Sequence, residues 1–212
     1  MANQSEPAWH REVIPSTTES TLQLLRSANL LHGFYLAGGT GLALQFGHRL
    51  SLDLDFFATE PFHEDAFLQR VQTLAGFALW SKAPSTLHAT IQTTKVSFLG
   101  YAYPVLYTAH KFLGVPVADP RDIACMKVSA IASRGTKRNF VDLYFCAQQL
   151  ELTEILRMFD RKYAQANVSR IHVLKSLTYF GDAEKDPIPH MLVPFDWETV
   201  KQFFVGEVPR LL

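Results

Sequence analysis

Two aspartates, Asp53 and Asp55, are separated by a single residue in the stretch SLDLDFF. They alternate with Leu52, Leu54 and Phe56, and strict alternation of this kind predicts a strand with one buried face. Both carboxylates are then expected on the other face, roughly 6.5–7 Å apart at about 3.3 Å per residue. Mg²⁺ prefers oxygen ligands and is commonly held by one or two carboxylates together with substrate phosphates, and Mn²⁺ accepts similar ligands. The pair predicts a site for Mg²⁺ or Mn²⁺, and a solvated strand edge is the alternative.

A glycine pair precedes the aspartates. A short apolar run ends at Gly38-Gly39, and a helical pattern begins there. Backbone N–H groups at such a turn can contact a phosphate, because no Cβ blocks its approach and a helix N-terminus favours anions. Thr40 could donate its hydroxyl to the phosphate or simply cap the helix. Arg49 could clamp a phosphate or pair with Asp55. The order of strand, Gly-Gly-Thr, helix and Asp-x-Asp favours combined phosphate and metal binding over a plain tight turn.

Three later charged residues are further candidates. Lys127 lies beside the apolar stripe of a predicted helix, where its ammonium either extends to water or neutralises a triphosphate. Arg134 lies two turns later on nearly the same side and is a second candidate for that contact. Asp142 lies in the aromatic-rich stretch RNFVDLYF. It either pairs with Arg138 at the surface or faces a cleft and orients Lys127 or a metal-bound water.

The predicted secondary structure that positions these residues changes near residue 115, from strands and helices to helices alone. Strand-like runs at residues 77–82, 87–92 and 95–99 are joined by turn residues, and the pattern from Asp119 onward is helical. This predicts an α+β chain. We expect a mixed β-sheet core with flanking helices and an N-terminal arm over residues 1–115, followed by an all-helical half over residues 116–212.

Composition narrows the functional class. The 212-residue chain has no net charge, so attraction of nucleic acid by the whole molecule is excluded. Residues 121–175 nevertheless hold ten Lys/Arg against five Asp/Glu, which indicates either a solvated helix surface or phosphate contacts. With two cysteines, no apolar run of about 18 residues and no apolar segment typical of a signal peptide, we expect a soluble cytoplasmic protein without a membrane partner.

The stretch GGTGLALQFGHRLSLDLDFF, residues 38–57, resembles the signature of the AbiEii-type nucleotidyltransferase toxins. These are bacterial abortive-infection and toxin–antitoxin proteins with a polymerase-β-like nucleotidyltransferase fold. Residues 127–145 and 174–192 match two later stretches of the family in the same order. The resemblance implies that Lys127 takes part in activity. Asp142 matches a residue of the family motif, and Arg49 lies within the matching stretch.

The resemblance implies a Mg²⁺-dependent transfer of a nucleotide from an NTP to an acceptor. The NTP phosphates would bind at Gly38-Gly39-Thr40, and the metal would bind at Asp53 and Asp55. It further implies an RNA acceptor, which is tRNA in characterised members, and a cognate antitoxin encoded beside the toxin.

One departure from related transferases bears on turnover. Such enzymes commonly carry a third carboxylate on a later central strand, and Lys95-Val96-Ser97-Phe98 supplies none. The general base that would deprotonate the acceptor hydroxyl is therefore Asp142 or Asp55, or the chain has no such base. A nucleotide-binding pseudo-transferase, and a transferase acting on a protein or a small molecule, remain the alternatives.

Overall fold

The structure is a computed structural model, and it describes residues 8–211. The chain folds as two compact units that divide between Asp119 and Pro120.

The first unit is built on a mixed sheet. Its strands are β1 (Tyr35–Leu36), β2 (Leu54–Ala58), β3 (Phe77–Ala83), β4 (Thr86–Ile91), β5 (Thr94–Gly100), β6 (His110–Phe112) and β7 (Val115–Val117). Its helices are α1 (Ser16–Ser27), α2 (Gly38–Phe46) and α3 (Glu64–Val71). The spatial order is β3-β4-β5-β2-β1-β7-β6. Strand β2 runs parallel to β5, β1 runs parallel to β7, and the other neighbours are antiparallel. The expected α+β fold with a mixed sheet is confirmed.

One face of the sheet forms the core of this unit. Leu54 and Phe56 of β2 and Val96 and Phe98 of β5 are buried on it. The ring centroids of Phe56 and Phe98 are 5.4 Å apart, and Phe67 of α3 lies 4.6 Å from Phe98. Because side chains alternate along a strand, the residues between these apolar ones point to the opposite face.

Strand β2 begins later than the alternation indicates. Its first residue is Leu54, and Leu52 is 58% exposed, so the expectation that Leu52 faces the core is wrong. The Leu52 carbonyl accepts a hydrogen bond from the Thr18 hydroxyl of α1 instead of a strand partner. This side-chain contact holds the connection in an irregular path up to Asp53, which directly precedes the strand.

The regular elements of the second unit are helices. Its helices are α4 (Pro120–Arg134), α5 (Lys137–Ala147), α6 (Leu152–Lys162), α7 (Arg170–Leu177) and α8 (Trp197–Glu207). Pro120 suits the first position of α4, because its missing N–H has no intrahelical partner there. Helix α4 contacts α5, α6 and α7, and α5 contacts α8. Helix α4 is therefore the central helix of this unit, which explains why it is buried on most sides. Among residues 8–211, no helix has the length and apolar content needed to cross a bilayer.

Candidate active site

The turn after β1 contacts the strand that carries Asp55. The Ala37 N–H donates to the Asp55 carbonyl at 3.0 Å. Gly38 has φ +64°, and a Cβ built there would lie 2.8 Å from Asp55 Oδ2. Glycine meets both requirements, because it tolerates a positive φ and leaves room for the carboxylate. The structure therefore brings Gly38 and Asp55 into direct contact at the start of α2.

Gly39 has a different neighbour, Arg49. A Cβ on Gly39 would overlap Arg49 Nη2. Arg49 is only 3% exposed, and its Nη1 donates to the Leu50 carbonyl at 2.9 Å. The guanidinium is thus packed against the backbone of the helix N-terminus, where the first N–H groups of a helix lack intrahelical partners. Both features favour an anion at this position.

Thr40 supports the segment that carries Asp53. Its hydroxyl is buried, lies 2.7 Å from Ser51 Oγ and bonds to the Asp53 carbonyl. A hydroxyl held in this way fixes the backbone just before β2. A contact between Thr40 and a phosphate stays a prediction.

Asp53 and Asp55 open into one cleft of about 200 Å³ on the face of the sheet opposite the apolar core. Strands β3, β4 and β5 supply the rest of its lining: Trp80, Ser81, His88, Ala89, Lys95, Val96 and Ser97. The two aspartates therefore line one cleft, as a common ion requires.

A cross-strand row of polar residues extends from Asp55. Asp55 is paired with Ser97 on the parallel strand β5, and Ser97 is paired with His88 on β4. His88 Nδ1 lies 3.1 Å from Ser97 Oγ. The stretch of β5 in which we expected a third carboxylate thus places a serine, hydrogen-bonded to a histidine, beside Asp55. Sequence reasoning missed His88, because strand register decides which residues are neighbours across a sheet.

The residues of this cleft fit a divalent ion that is shared with a substrate. Two carboxylates are a normal protein contribution to a Mg²⁺ site, because substrate phosphates and water complete the shell. Within residues 8–211, no three His, Cys, Asp or Glu side chains cluster closely enough to hold a metal by themselves. Asp53 and Asp55 would therefore need further oxygen ligands, such as those of a nucleotide or of water, to hold Mg²⁺.

A buried ion pair lies in the second unit. Lys127 Nζ of α4 is 2.7 Å from Asp142 Oδ2 of α5, and Asn139 Oδ1 lies 3.4 Å from the same ammonium. The side chains of Lys127 and Asp142 are 9% and 0% exposed. Lys127 therefore does not extend to water. Asp142 orients its ammonium, while a contact of Asp142 with a metal-bound water stays a prediction.

The basic stretch of residues 121–175 is less exposed than its composition indicates. Lys127, Lys137 and Lys162 are buried, and Lys162 Nζ lies 2.7 Å from Asp122 Oδ1. Arg134, the last residue of α4, is exposed. Part of the positive charge in this stretch thus lies in the interior of the helical unit and does not form a solvated surface.

The two thiols are interior groups. Burial raises the pKa of Cys125 to about 12 and also raises the pKa of Cys146. A thiol with such a pKa is protonated at neutral pH and is a poor nucleophile. Neither cysteine is a candidate for covalent chemistry.

Known proteins resemble the chain along most of its length. The sequence model of the family described as "Nucleotidyl transferase AbiEii toxin, Type IV TA system" matches residues 23–94 and 94–210. The uncharacterized protein aq_aa25 of Aquifex aeolicus (strain VF5) is 36% identical over 197 residues, which cover 90% of this chain and 94% of that protein.

Two solved structures share the fold at low sequence identity. JHP933 from Helicobacter pylori superimposes with a TM-score of 0.54 at 18% identity, covering 93% of each chain. MenT4, the nucleotidyltransferase toxin Rv2826c from Mycobacterium tuberculosis H37Rv, superimposes with a TM-score of 0.53 at 16% identity, covering 92% of this chain and 86% of its own.

Proposed function

Because this chain belongs to the AbiEii family of nucleotidyltransferase toxins, we propose that it transfers a nucleotide from an NTP to an RNA acceptor in a Mg²⁺-dependent reaction. The observation that carries the proposal is the shared cleft of Asp53 and Asp55, with Gly38 packed directly against Asp55. Carboxylates and a glycine turn at a helix N-terminus are the two parts needed to bind a metal–triphosphate.

Asp53 and Asp55 would hold Mg²⁺, or Mn²⁺ in its place. When bound, the metal supplies charge stabilisation at the attacking and leaving oxygens of the displacement. The Thr40 hydroxyl keeps the backbone at Asp53 in position through its bond to the carbonyl. This support matters because a small misplacement of a catalytic group lowers the rate strongly.

The glycine turn and Arg49 would bind the triphosphate. The N–H groups of Gly38 and Gly39 lie at the start of α2, where the helix dipole favours negative charge. The Arg49 guanidinium packs at Gly39 and adds a full positive charge there. In the reaction the acceptor hydroxyl attacks the α-phosphorus and pyrophosphate leaves.

Lys127, Asp142 and Arg134 are proposed to contribute to activity. The buried carboxylate of Asp142 holds the Lys127 ammonium in one orientation. An oriented ammonium can neutralise charge that develops on a phosphate in the transition state. Arg134, which is exposed at the end of α4, is proposed as an additional phosphate contact.

The proposal includes a biological setting. The type IV toxin–antitoxin family implies a cognate antitoxin as a partner. We propose tRNA as the acceptor RNA and the cytoplasm as the place of action, because tRNA and NTPs are available there.

The test is a transfer assay with each of the four NTPs labelled at the α-phosphate, Mg²⁺ and total RNA. Label that appears in RNA, and in tRNA after size separation, supports the proposal. Label in the protein itself or in a small molecule contradicts the RNA acceptor and identifies the other transferase class. Omission of the divalent ion should abolish incorporation, and added Mg²⁺ should restore it.

A second candidate function is nucleotide binding without transfer. It is favoured by one observation, the serine at position 97 beside Asp55 where a third carboxylate would serve as a base. Tight NTP binding in calorimetry, combined with no labelled product on RNA, protein or small molecules, would support this candidate over the first.

A further inference from the structure

An aromatic ring stands at the cleft that holds the two carboxylates. Trp80 of β3 is 55% exposed, although tryptophan is usually well buried in a folded chain. Its ring lines the cleft together with Asp53 and Asp55. An indole that is exposed beside a polar cleft is available to contact a ligand there.

A bulge in β3 gives Trp80 this position. Leu79 is paired with Ala89 and Ser81 is paired with His88, so Trp80 is the extra residue between two successive pairs. In a regular strand Trp80 and Ser81 would point to opposite faces. Both line the cleft here, because a bulge sets two residues against one on the partner strand. Bulges of this kind occur next to active sites, where they re-aim a side chain.

The ammonium of Lys95 lies over the Trp80 ring. The Lys95 ammonium of β5 lies 4.8 Å from the centroid of the Trp80 ring and lines the same cleft. The ammonium holds the indole against the sheet by a cation–π contact. It also supplies a positive charge next to a tryptophan that is more than half exposed.

We propose that Trp80 and Lys95 form a binding subsite for an unpaired nucleobase and a phosphate of the same molecule. A flat ring with an adjacent cation is the combination that binds single-stranded nucleic acid, since every base has a face that stacks and every backbone carries phosphates. The choice of ligand rests on the proposed nucleotidyl transfer. The base could belong to the RNA acceptor or to the incoming NTP, and the two sources are separated by experiment.

The test measures binding in the absence of transfer. The probes are a fluorescently labelled single-stranded RNA of roughly ten nucleotides and, separately, each NTP. The variants are Trp80→Ala, Trp80→Phe and Lys95→Gln. Leu79→Ala is the matched control, because Leu79 is the neighbouring residue, is 43% exposed and does not line the cleft. Melting curves should match wild type for all four, since the substituted side chains are exposed.

We expect Trp80→Ala to weaken RNA binding roughly 5- to 150-fold, as loss of one base–aromatic stack does. Trp80→Phe should retain most of the affinity, and Leu79→Ala should match wild type. Lys95→Gln should weaken binding and reduce the slope of log affinity against log salt by about 0.7. A loss confined to the NTP probe would assign the subsite to the incoming nucleotide. Unchanged binding of both probes in Trp80→Ala and Lys95→Gln would overturn the proposal.

The binding test of the Trp80–Lys95 subsite can fail or succeed independently of the proposed transfer reaction. Asp53→Asn should lose transfer yet keep Trp80-dependent binding of the RNA probe. If wild type transfers no label to any acceptor, the proposed reaction fails while the binding result stands. If wild type transfers label to RNA but Trp80→Ala binds both probes as tightly as wild type does, only the proposed Trp80–Lys95 subsite is wrong.

Discussion

Lys127 Nζ lies 2.7 Å from Asp142 Oδ2, and both side chains are buried in the helical unit. A buried ion pair can stabilise the fold or take part in catalysis. A single substitution does not separate these roles, because it can lower both stability and activity. Removing one partner leaves an uncompensated buried charge, which costs about 3–5 kcal/mol. We therefore expect Lys127→Ala and Asp142→Ala to lower the midpoint of urea unfolding strongly.

The double variant Lys127→Met/Asp142→Leu separates stability from chemistry. Replacing a buried ion pair with apolar residues is often neutral for folding. We expect the double variant to unfold near the wild-type urea concentration and to transfer no nucleotide. The matched control is Lys162→Met/Asp122→Leu, which removes a second buried pair of this unit and should keep activity. Equal activity of the two double variants would show that the Lys127–Asp142 pair is structural only.

Gly39→Ala is expected to slow transfer strongly. Its new Cβ would overlap Arg49 Nη2, so the guanidinium must move away from the start of α2. Steady-state kinetics should show a raised KM for the NTP together with a lowered kcat. Gly206→Ala in α8 is the control, since no atom lies within 4 Å of an added Cβ there. Wild-type kinetics of the Gly39→Ala enzyme would contradict the proposal that Arg49 and the glycine turn bind the triphosphate.

Thr40→Val tests whether the hydroxyl positions Asp53. Valine keeps the shape of threonine but leaves the Asp53 carbonyl and Ser51 without their buried partner, at a cost of about 1–3 kcal/mol. We expect kcat to fall, with KM for the NTP changing less. Thr40→Ser, which keeps the hydroxyl, should recover most of the rate. A valine enzyme as active as the serine enzyme would contradict a positioning role.

Both thiols are expected to resist alkylation in the folded protein. Burial raises the pKa of Cys125 to about 12, so almost no thiolate exists at about pH 8. Mass spectrometry after iodoacetamide treatment should show no adduct in buffer and two adducts in denaturant. Because the folded pKa lies above the unfolded value of 9.0, this thiol's contribution to stability is intact below that pH and declines as pH rises toward 12. Rapid labelling of the native chain would contradict the buried position.

Local signals explain which parts of the fold could be predicted from the sequence. Gly38-Gly39 after an apolar run predicts the start of α2, and the structure begins that helix at Gly38. Pro120 and Gly135 bracket α4, which runs from Pro120 to Arg134. In each case the determining interaction lies within one turn of the backbone, so neighbouring residues carry the information.

Non-local pairing explains what the sequence did not reveal. Strands β6 and β7 are three residues each, too short for a periodic pattern, and β7 pairs with β1 from far along the chain. His88 reaches the row of Asp55 through the register of two strand pairs. Trp80 lines the cleft because of a bulge, and local sequence does not reveal a shift in pairing. Leu52 departs from the alternation because it precedes the strand, and its carbonyl accepts a hydrogen bond from the Thr18 hydroxyl of α1.

The central claim is that Asp53 and Asp55 hold the metal for nucleotidyl transfer. The most direct measurement is incorporation of α-labelled NTP into RNA by wild type, Asp53→Asn and Asp55→Asn at matched Mg²⁺. The control is Glu60→Gln, an exposed carboxylate just beyond β2 that does not line the cleft. We expect both asparagine variants to fold normally and to lose incorporation, while Glu60→Gln matches wild type. Folded Asp53→Asn and Asp55→Asn proteins that label RNA at the wild-type rate would contradict the account.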